Sequence, residues 1–124
     1  MTRGRARVGA VAAALVLGLA ACNSTDKPIP TKGNAKLGKE AIEKYGCGGC
    51  HTIPGVRNAD GLVGPPLVSF SKRSFIAGRL ANTEENLARW IQNPQAVEPG
   101  TAMPDLNVTP EDAENIAAYL TTLQ

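Results

Sequence analysis

The chain has 124 residues, with 13 Lys+Arg against 11 Asp+Glu and a formal net charge of +2. This length supports one small domain at most, and the near balance of charge argues against nucleic acid as a partner. The chain contains only one histidine, which excludes any site that needs two imidazoles from the same chain.

Residues 1–21 are predicted to be the signal peptide of an exported lipoprotein. Three arginines precede an apolar stretch at 8–20 that is too short for a membrane span. The following Leu19-Ala20-Ala21-Cys22 resembles a lipobox, in which the cysteine becomes the lipidated first residue. We expect attachment to a membrane through lipid on Cys22, facing the periplasm or the cell exterior. Ordinary cleavage near Ala21, which would leave a spare thiol, is the alternative.

A tether and a folded unit are predicted to follow. Residues 22–34 are polar with two prolines, a composition typical of a flexible tether. Loss of the three signal-peptide arginines would leave ten Lys+Arg against 11 Asp+Glu, a net charge of about −1. The folded unit is then 35–124, about 90 residues. A unit of this size has a marginal core, so a covalent staple or a large apolar cofactor would help it to fold.

Three helices and no convincing strand are predicted in the folded unit, which gives an all-α class. The first helix runs from about Ala35 to Tyr45 behind a capping asparagine. The second begins at Thr83 and ends at Asn93-Pro94, and the third begins at Thr109-Pro110 with proline in the first helical position. Residues 74–80 are predicted to form a short turn of helix. The long loops between the helices need something to organise them.

The sequence Cys47-Gly48-Gly49-Cys50-His51 contains the only histidine of the chain. A thioredoxin-type site would need a βαβ setting, a zinc site would lack a fourth Cys or His, and a disulfide would leave the histidine unexplained. C-x-x-C-H is also the attachment signature of haem c, in which two thiols form thioethers with the vinyl groups and the imidazole binds iron. We therefore predict one covalent haem c on Cys47 and Cys50, with His51 as an axial iron ligand.

The second axial ligand is predicted to be Met103, the one methionine beyond the signal peptide. It lies in the proline-flanked stretch "VEPGTAMPDL", which lacks helical periodicity and is far in sequence from His51. A methionine that fills a gap in the core is the usual competing interpretation. In that case a lysine would bind the iron in its place, or the sixth iron position would stay open.

The order of these features resembles class I c-type cytochromes over residues 35–124. It comprises a helix, "CGGCH", "GPPL", a helix ending in "WIQNP", "PGTAMP" and a C-terminal helix. The stretch 71–104 is similar to the cytochrome c domain fused to subunit II of caa3-type haem-copper oxidases. No copper domain precedes it in this sequence, so we expect a stand-alone lipoprotein with a small cytochrome c fold.

The resemblance implies roles for further residues. Pro65 matches the proline whose carbonyl accepts a hydrogen bond from the ligand imidazole, although Pro66 could match it instead. Trp90 corresponds to an aromatic residue that lines the haem pocket. Gly38 and Tyr119 match the contact at which the first and last helices cross. The candidate donors to the haem propionates are Arg73, then Asn82 and Arg79, and also Thr101.

The resemblance also implies an electron carrier and not an enzyme. With both axial positions filled, iron changes between Fe(III) and Fe(II) without binding a substrate. The expected partners are membrane-bound redox complexes, with a terminal oxidase as the acceptor. A haem sensor or peroxidase-like enzyme with an open sixth position is a competing hypothesis. A fixed subunit of an oxidase or dehydrogenase, instead of a mobile monomer, is a further one.

Overall fold

The computed structural model describes residues 32–124, so the predicted signal peptide, Cys22 and most of the tether lie outside the described residues. This part of the chain is mostly helical, and none of its helices is long and apolar enough to cross a membrane. Single turns of 3-10 helix occur at Cys47–Gly49 and Phe70–Lys72. The other elements are α1 (Ala35–Lys44), β1 (Phe75–Ile76), β2 (Leu80–Ala81), α2 (Glu84–Gln92), α3 (Pro94–Val97) and α4 (Pro110–Leu120).

The three longer helices begin where the sequence predicts, because a polar side chain caps each of them. The Asn34 Oδ1 atom accepts the amides of Lys36 and Leu37 at 2.9 and 3.3 Å. Thr83 and Thr109 each accept the amide three residues further on, at 3.2 and 3.1 Å. Each bond satisfies an amide that has no partner within its helix. The predicted all-α class with three main helices is confirmed.

Residues 74–80 do not form the predicted turn of helix. Phe75 pairs with Ala81 and Ile76 with Leu80, in an antiparallel hairpin. Ala77 and the following glycine connect the strands with φ angles of 50° and 69°. Two successive positive φ angles are the geometry of a type I′ turn, whose twist suits paired strands. The prediction of a helical turn without strands was therefore wrong here.

The helix α3 was also not predicted. Pro94, which was expected only to end α2, occupies the first position of this short helix. Proline suits that position because it lacks the amide hydrogen that would have no partner there. The helix α3 therefore turns the chain directly into the loop that carries Met103.

The core lies where α1 crosses α4, with α2 packed against α4. The crossing is close because Gly38 has no side chain, and a Cβ atom there would lie 1.9 Å from the Asn115 carbonyl oxygen. The nearest neighbour of Gly38 at this crossing is therefore the backbone of Asn115, one helical turn before the predicted Tyr119. The Tyr119 hydroxyl instead donates to the Pro54 carbonyl at 2.7 Å, which ties α4 to the loop after the cysteines.

Residues 32–34, the last three of the predicted tether, are held against the domain. The amides of Lys32 and Gly33 donate to Glu84 Oε1 at 3.0 and 3.3 Å. The amide of Asn34 donates to Asn115 Oδ1 at 2.7 Å. A Cβ atom at Gly33 would lie 2.1 Å from the Glu114 carbonyl oxygen, so the backbone of this segment contacts α4 directly.

Candidate functional site

A cavity of about 430 Å³ opens beside α1. Its lining is mostly apolar and comes from α1, α2, α4, the hairpin and the loops between them. Several lining side chains are also exposed to solvent, with relative exposures of 77% for Val63, 63% for Phe75 and 36% for Leu106. Contiguous exposed apolar surface marks a binding site. The cavity is therefore suited to a large apolar group that would cover these side chains.

The turn that follows α1 places Cys47, Cys50 and His51 on the wall of this cavity. Gly46 ends α1 with a φ of 70°, a left-handed conformation that glycine adopts without strain. A 3-10 turn follows, and in such a turn residues three apart lie on the same side. The two cysteines are not joined to each other in a disulfide. Burial raises the pKa of the Cys47 thiol, which keeps it protonated at neutral pH.

The imidazole of His51 is oriented by the loop opposite. Its Nδ1 atom lies 2.7 Å from the carbonyl oxygen of Pro65. Because a carbonyl oxygen can only accept, Nδ1 carries the proton and the Nε2 lone pair remains available to a metal. Of the two prolines that could have matched, Pro65 makes this contact. The neighbouring Gly64 leaves the space that the ring occupies, since a Cβ atom there would lie 2.3 Å from His51 Cε1.

Met103 lines the same cavity. Gln95 of α3 organises the loop that carries it, since Nε2 of Gln95 donates to the carbonyls of Thr101 and Met103 at 2.8 and 3.1 Å. The Oε1 atom of Gln95 accepts the Gly100 amide at 3.2 Å. The role of Gln95 was not predicted, because a single glutamine in a short helix carries no distinguishing pattern.

Two of the predicted propionate donors are already engaged by backbone carbonyls. Arg73 lines the cavity, but its guanidinium donates to Pro66 and, at 3.5 Å, to Val68. Asn82 does not line the cavity. Its Nδ2 atom donates to the carbonyls of Phe70 at 3.0 Å and of Arg73 at 2.9 Å. Both amide hydrogens of Asn82 are thus used to hold the backbone that precedes the hairpin.

Two of the other three predicted pocket residues are better placed. Trp90 and Thr101 both line the cavity. The Thr101 hydroxyl accepts the Met103 amide at 3.4 Å and can donate its own hydrogen at the same time. Arg79, the remaining candidate donor, pairs instead with Glu98, a residue of the cavity lining.

The residues present fit a covalent haem c. Cys47, Cys50, His51 and Met103 all line one apolar cavity, and their side chains are the groups that attach haem c and ligate its iron. Cys47 and Cys50 would hold the porphyrin, and His51 and Met103 would supply the axial ligands. Among residues 32–124, no three His, Cys, Asp or Glu side chains gather closely enough to hold a bare metal ion.

Known proteins resemble this chain over the part that carries the site. A family model described as cytochrome c matches residues 35–124. The chain is 38% identical over 102 residues to cytochrome c oxidase subunit 2 of Alkalihalophilus pseudofirmus, a match covering 82% of this chain and 29% of the relative. It is 37% identical over 102 residues to the protein of the same name from Bacillus sp. strain PS3, covering 79% and 28%. The chain thus spans less than a third of the length of these relatives.

Proposed function

The chain belongs to the cytochrome c family, and we propose that it transfers single electrons through one haem c attached at Cys47 and Cys50 and ligated by His51 and Met103. Family membership implies a covalent haem c and electron transfer. The observation that carries the ligand assignment is that all four residues line the same cavity.

Haem c, when bound, supplies one-electron exchange between Fe(III) and Fe(II). The residues of the chain would set the conditions of that exchange. The Pro65 carbonyl holds the proton on Nδ1 of His51, which leaves Nε2 as the ligand atom and increases its basicity. A thioether ligand favours the reduced state, and the apolar lining penalises the additional positive charge of the oxidised state. Both effects raise the reduction potential.

Occupation of both axial positions makes the chain an electron carrier and not an enzyme. An open sixth position, as in a haem sensor or a peroxidase-like enzyme, would need a distal base or hydrogen-bond donor for the bound molecule. The only histidine of the chain is already assigned as the proximal ligand. The presence of Met103 in the cavity lining therefore supports the carrier.

We further propose that the chain works at a membrane, with a terminal oxidase as its electron acceptor. The support is its similarity to proteins named cytochrome c oxidase subunit 2 and the lipobox-like sequence ending at Cys22. Export and a lipid anchor on Cys22 would raise the effective concentration of the domain at membrane complexes. The chain would act there as a mobile monomer or as a bound subunit, and co-purification with the oxidase at increasing salt distinguishes the two.

The absorption spectrum of the matured protein tests the ligand assignment. We expect a c-type reduced spectrum, a weak long-wavelength sulfur-to-iron band in the oxidised protein, and no change when carbon monoxide is added. Rapid binding of carbon monoxide without the sulfur band would exclude Met103 as a ligand and favour the sensor or enzyme. Mass spectrometry of the membrane fraction tests the anchor separately, since a diacylglyceryl group on Cys22 is expected after loss of residues 1–21.

A further inference from the structure

A polar cluster joins the end of α1 to the start of α4 beside the cavity. The Asp112 Oδ2 atom accepts both the Lys44 ammonium and the Tyr45 hydroxyl, each at 2.8 Å. The Tyr45 oxygen in turn lies 3.4 Å from the Thr109 amide, which donates to it. The Lys44 Nζ atom lies 4.8 Å from the centre of the Tyr45 ring. These bonds involve none of the proposed haem ligands, and they are not needed to cap α1 or α4.

Tyr45 connects this cluster to the site. Its side chain is half-buried and lines the cavity, two residues before the first cysteine, while Lys44 and Asp112 do not line it. The phenol ring therefore lies between the carboxylate and the space that the cofactor would fill. The other charged residues of the lining, Arg73 and Glu98, bind backbone carbonyls and Arg79 respectively, so they are separate from this cluster.

The net electrostatic effect of the cluster follows from the exposure of its two charges. The Lys44 side chain is 61% exposed, whereas that of Asp112 is 22% exposed. Water and salt screen an exposed charge more strongly than a partly buried one. The field that reaches the cavity is therefore dominated by the carboxylate. A hydrogen bond to a carboxylate also polarises the donor, so the phenol transmits part of this negative charge towards the cavity.

We propose that Asp112, acting through Tyr45, is a positioning residue that lowers the reduction potential of the site. Negative charge near the iron favours Fe(III) over Fe(II), because the oxidised centre carries one more positive charge. The pair would thus oppose the rise in potential that the thioether and the apolar lining produce. This inference rests on the proposed haem site, but it concerns residues that ligate nothing.

The test is the midpoint potential of the haem-loaded protein in Asp112→Asn, with Glu111→Gln as the matched control. Glu111 lies in the same first turn of α4 but is exposed. At a fixed ambient potential we expect Asp112→Asn to raise the ratio of reduced to oxidised protein about threefold, a shift of ~28 mV at 59 mV per tenfold change. Glu111→Gln should change this ratio by less than half as much. Equal shifts in the two variants would overturn the proposal.

A double-mutant cycle with Tyr45→Phe tests the role of the phenol. In the Tyr45→Phe background, Asp112→Asn should shift the midpoint potential by less than half as much as it does in the unmutated protein. An undiminished shift would overturn the proposal. The sulfur-to-iron band must stay unchanged, since its loss would assign the shift to ligand displacement instead.

If Tyr45→Phe yields no folded protein, Lys44→Gln replaces it as the test. Removal of the cation should lower the reduction potential, and a rise would contradict the inference. Carbon monoxide binding by the unmutated protein would count against the proposed ligands, and leaves the comparison of Asp112 with Glu111 intact.

Discussion

The Nδ1 atom of His51 lies 2.7 Å from the carbonyl oxygen of Pro65, and this contact depends on the glycine that precedes the proline. The amide of Gly64 donates to the Cys50 carbonyl at 2.8 Å, so the loop is also bonded to the residue that precedes His51. The orientation of the imidazole is thus fixed by backbone groups, which most side-chain substitutions leave unchanged.

Gly64→Ala is expected to displace the imidazole. The added Cβ atom would lie 2.3 Å from Cε1 and 2.6 Å from Nδ1 of His51, closer than any real Cβ contact. Relief of this overlap should cost about 3 kcal/mol in the free energy of unfolding and perturb the oxidised spectrum. Urea titration and absorption measure the two effects. Gly49→Ala is the control, because its Cβ atom would meet nothing within 4 Å. Equal losses in both variants would contradict this account.

Met103→Leu tests whether Met103 ligates the iron or only fills a gap in the core. The two side chains have similar volumes, so the change in packing alone should cost under about 1.5 kcal/mol in folding free energy. We expect the sulfur-to-iron band to disappear, the reduced protein to bind carbon monoxide, and the potential to fall by at least ~59 mV, a tenfold change in the ratio of the two states. Leu106→Ala, in the same loop and lining the same cavity, should retain the band. An unchanged spectrum in Met103→Leu would identify Met103 as packing only.

Local signals in the sequence account for the parts of the fold that were predicted. Asn34, Thr83 and Thr109 cap helices through bonds to amides two or three residues away, so the relevant atoms lie within one short stretch of sequence. The spacing of the two cysteines and the histidine is local in the same sense. Its chemistry can be inferred before any tertiary contact is known.

The parts that were not predicted depend on contacts between distant residues. The hairpin turn contains Ala77 at a positive φ, and alanine at such a position gives no signal of a type I′ turn. Asn82 was a candidate for the propionates, yet its amide binds two carbonyls that only the folded chain brings near it. Gln95 acquires its role in the same way. Polar side chains that hold loops cannot be distinguished from solvated ones by sequence pattern alone.

The pair Lys44–Asp112 predicts a loss of stability in acid. The hydrogen bonds from Lys44 and then Tyr45 lower the pKa of Asp112 below its usual value. A carboxyl group with a lowered pKa stabilises the fold above its unfolded pKa of about 3.9 and loses that contribution as the pH falls through the folded value. The free energy of unfolding should therefore fall more steeply below about pH 4 in the unmutated protein than in Asp112→Asn.

Glu111→Gln provides the control for this acid effect. It removes a carboxylate from the same turn of α4, but its side chain is exposed. Urea unfolding at several pH values between about 7 and about 2.5 should give Glu111→Gln the same acid dependence as the unmutated chain. A curve for Asp112→Asn that runs parallel to the unmutated curve would show that the pair contributes nothing to acid stability.

Glu84→Ala is expected to release Lys32 and Gly33 from the rest of the domain. The Glu84 carboxylate accepts the amides of Lys32 and Gly33, and bonds to a charged acceptor are stronger than neutral ones. Amide hydrogen exchange at these two positions should accelerate about tenfold, which corresponds to ~1.4 kcal/mol for their local opening. Glu85→Ala removes the neighbouring exposed carboxylate and should leave both exchange rates unchanged. Fast exchange in the unmutated protein would mean that this segment is not held in solution.

Gly38→Ala distinguishes helix propensity from helix packing, because propensity predicts a gain in the free energy of unfolding and packing predicts a loss. In an exposed helix interior, this substitution stabilises by about 0.5–1 kcal/mol, since glycine loses more backbone entropy on folding. In this chain the added Cβ atom would lie 1.9 Å from the Asn115 carbonyl oxygen, a backbone atom of α4 that cannot move without separating the two helices. We therefore expect a net loss of about 3 kcal/mol in the free energy of unfolding, measured by urea titration of the haem-loaded protein. Lys39→Ala, at the next position of α1, should change it by less than about 0.5 kcal/mol. A gain in stability for Gly38→Ala would show that α1 and α4 do not cross at this residue.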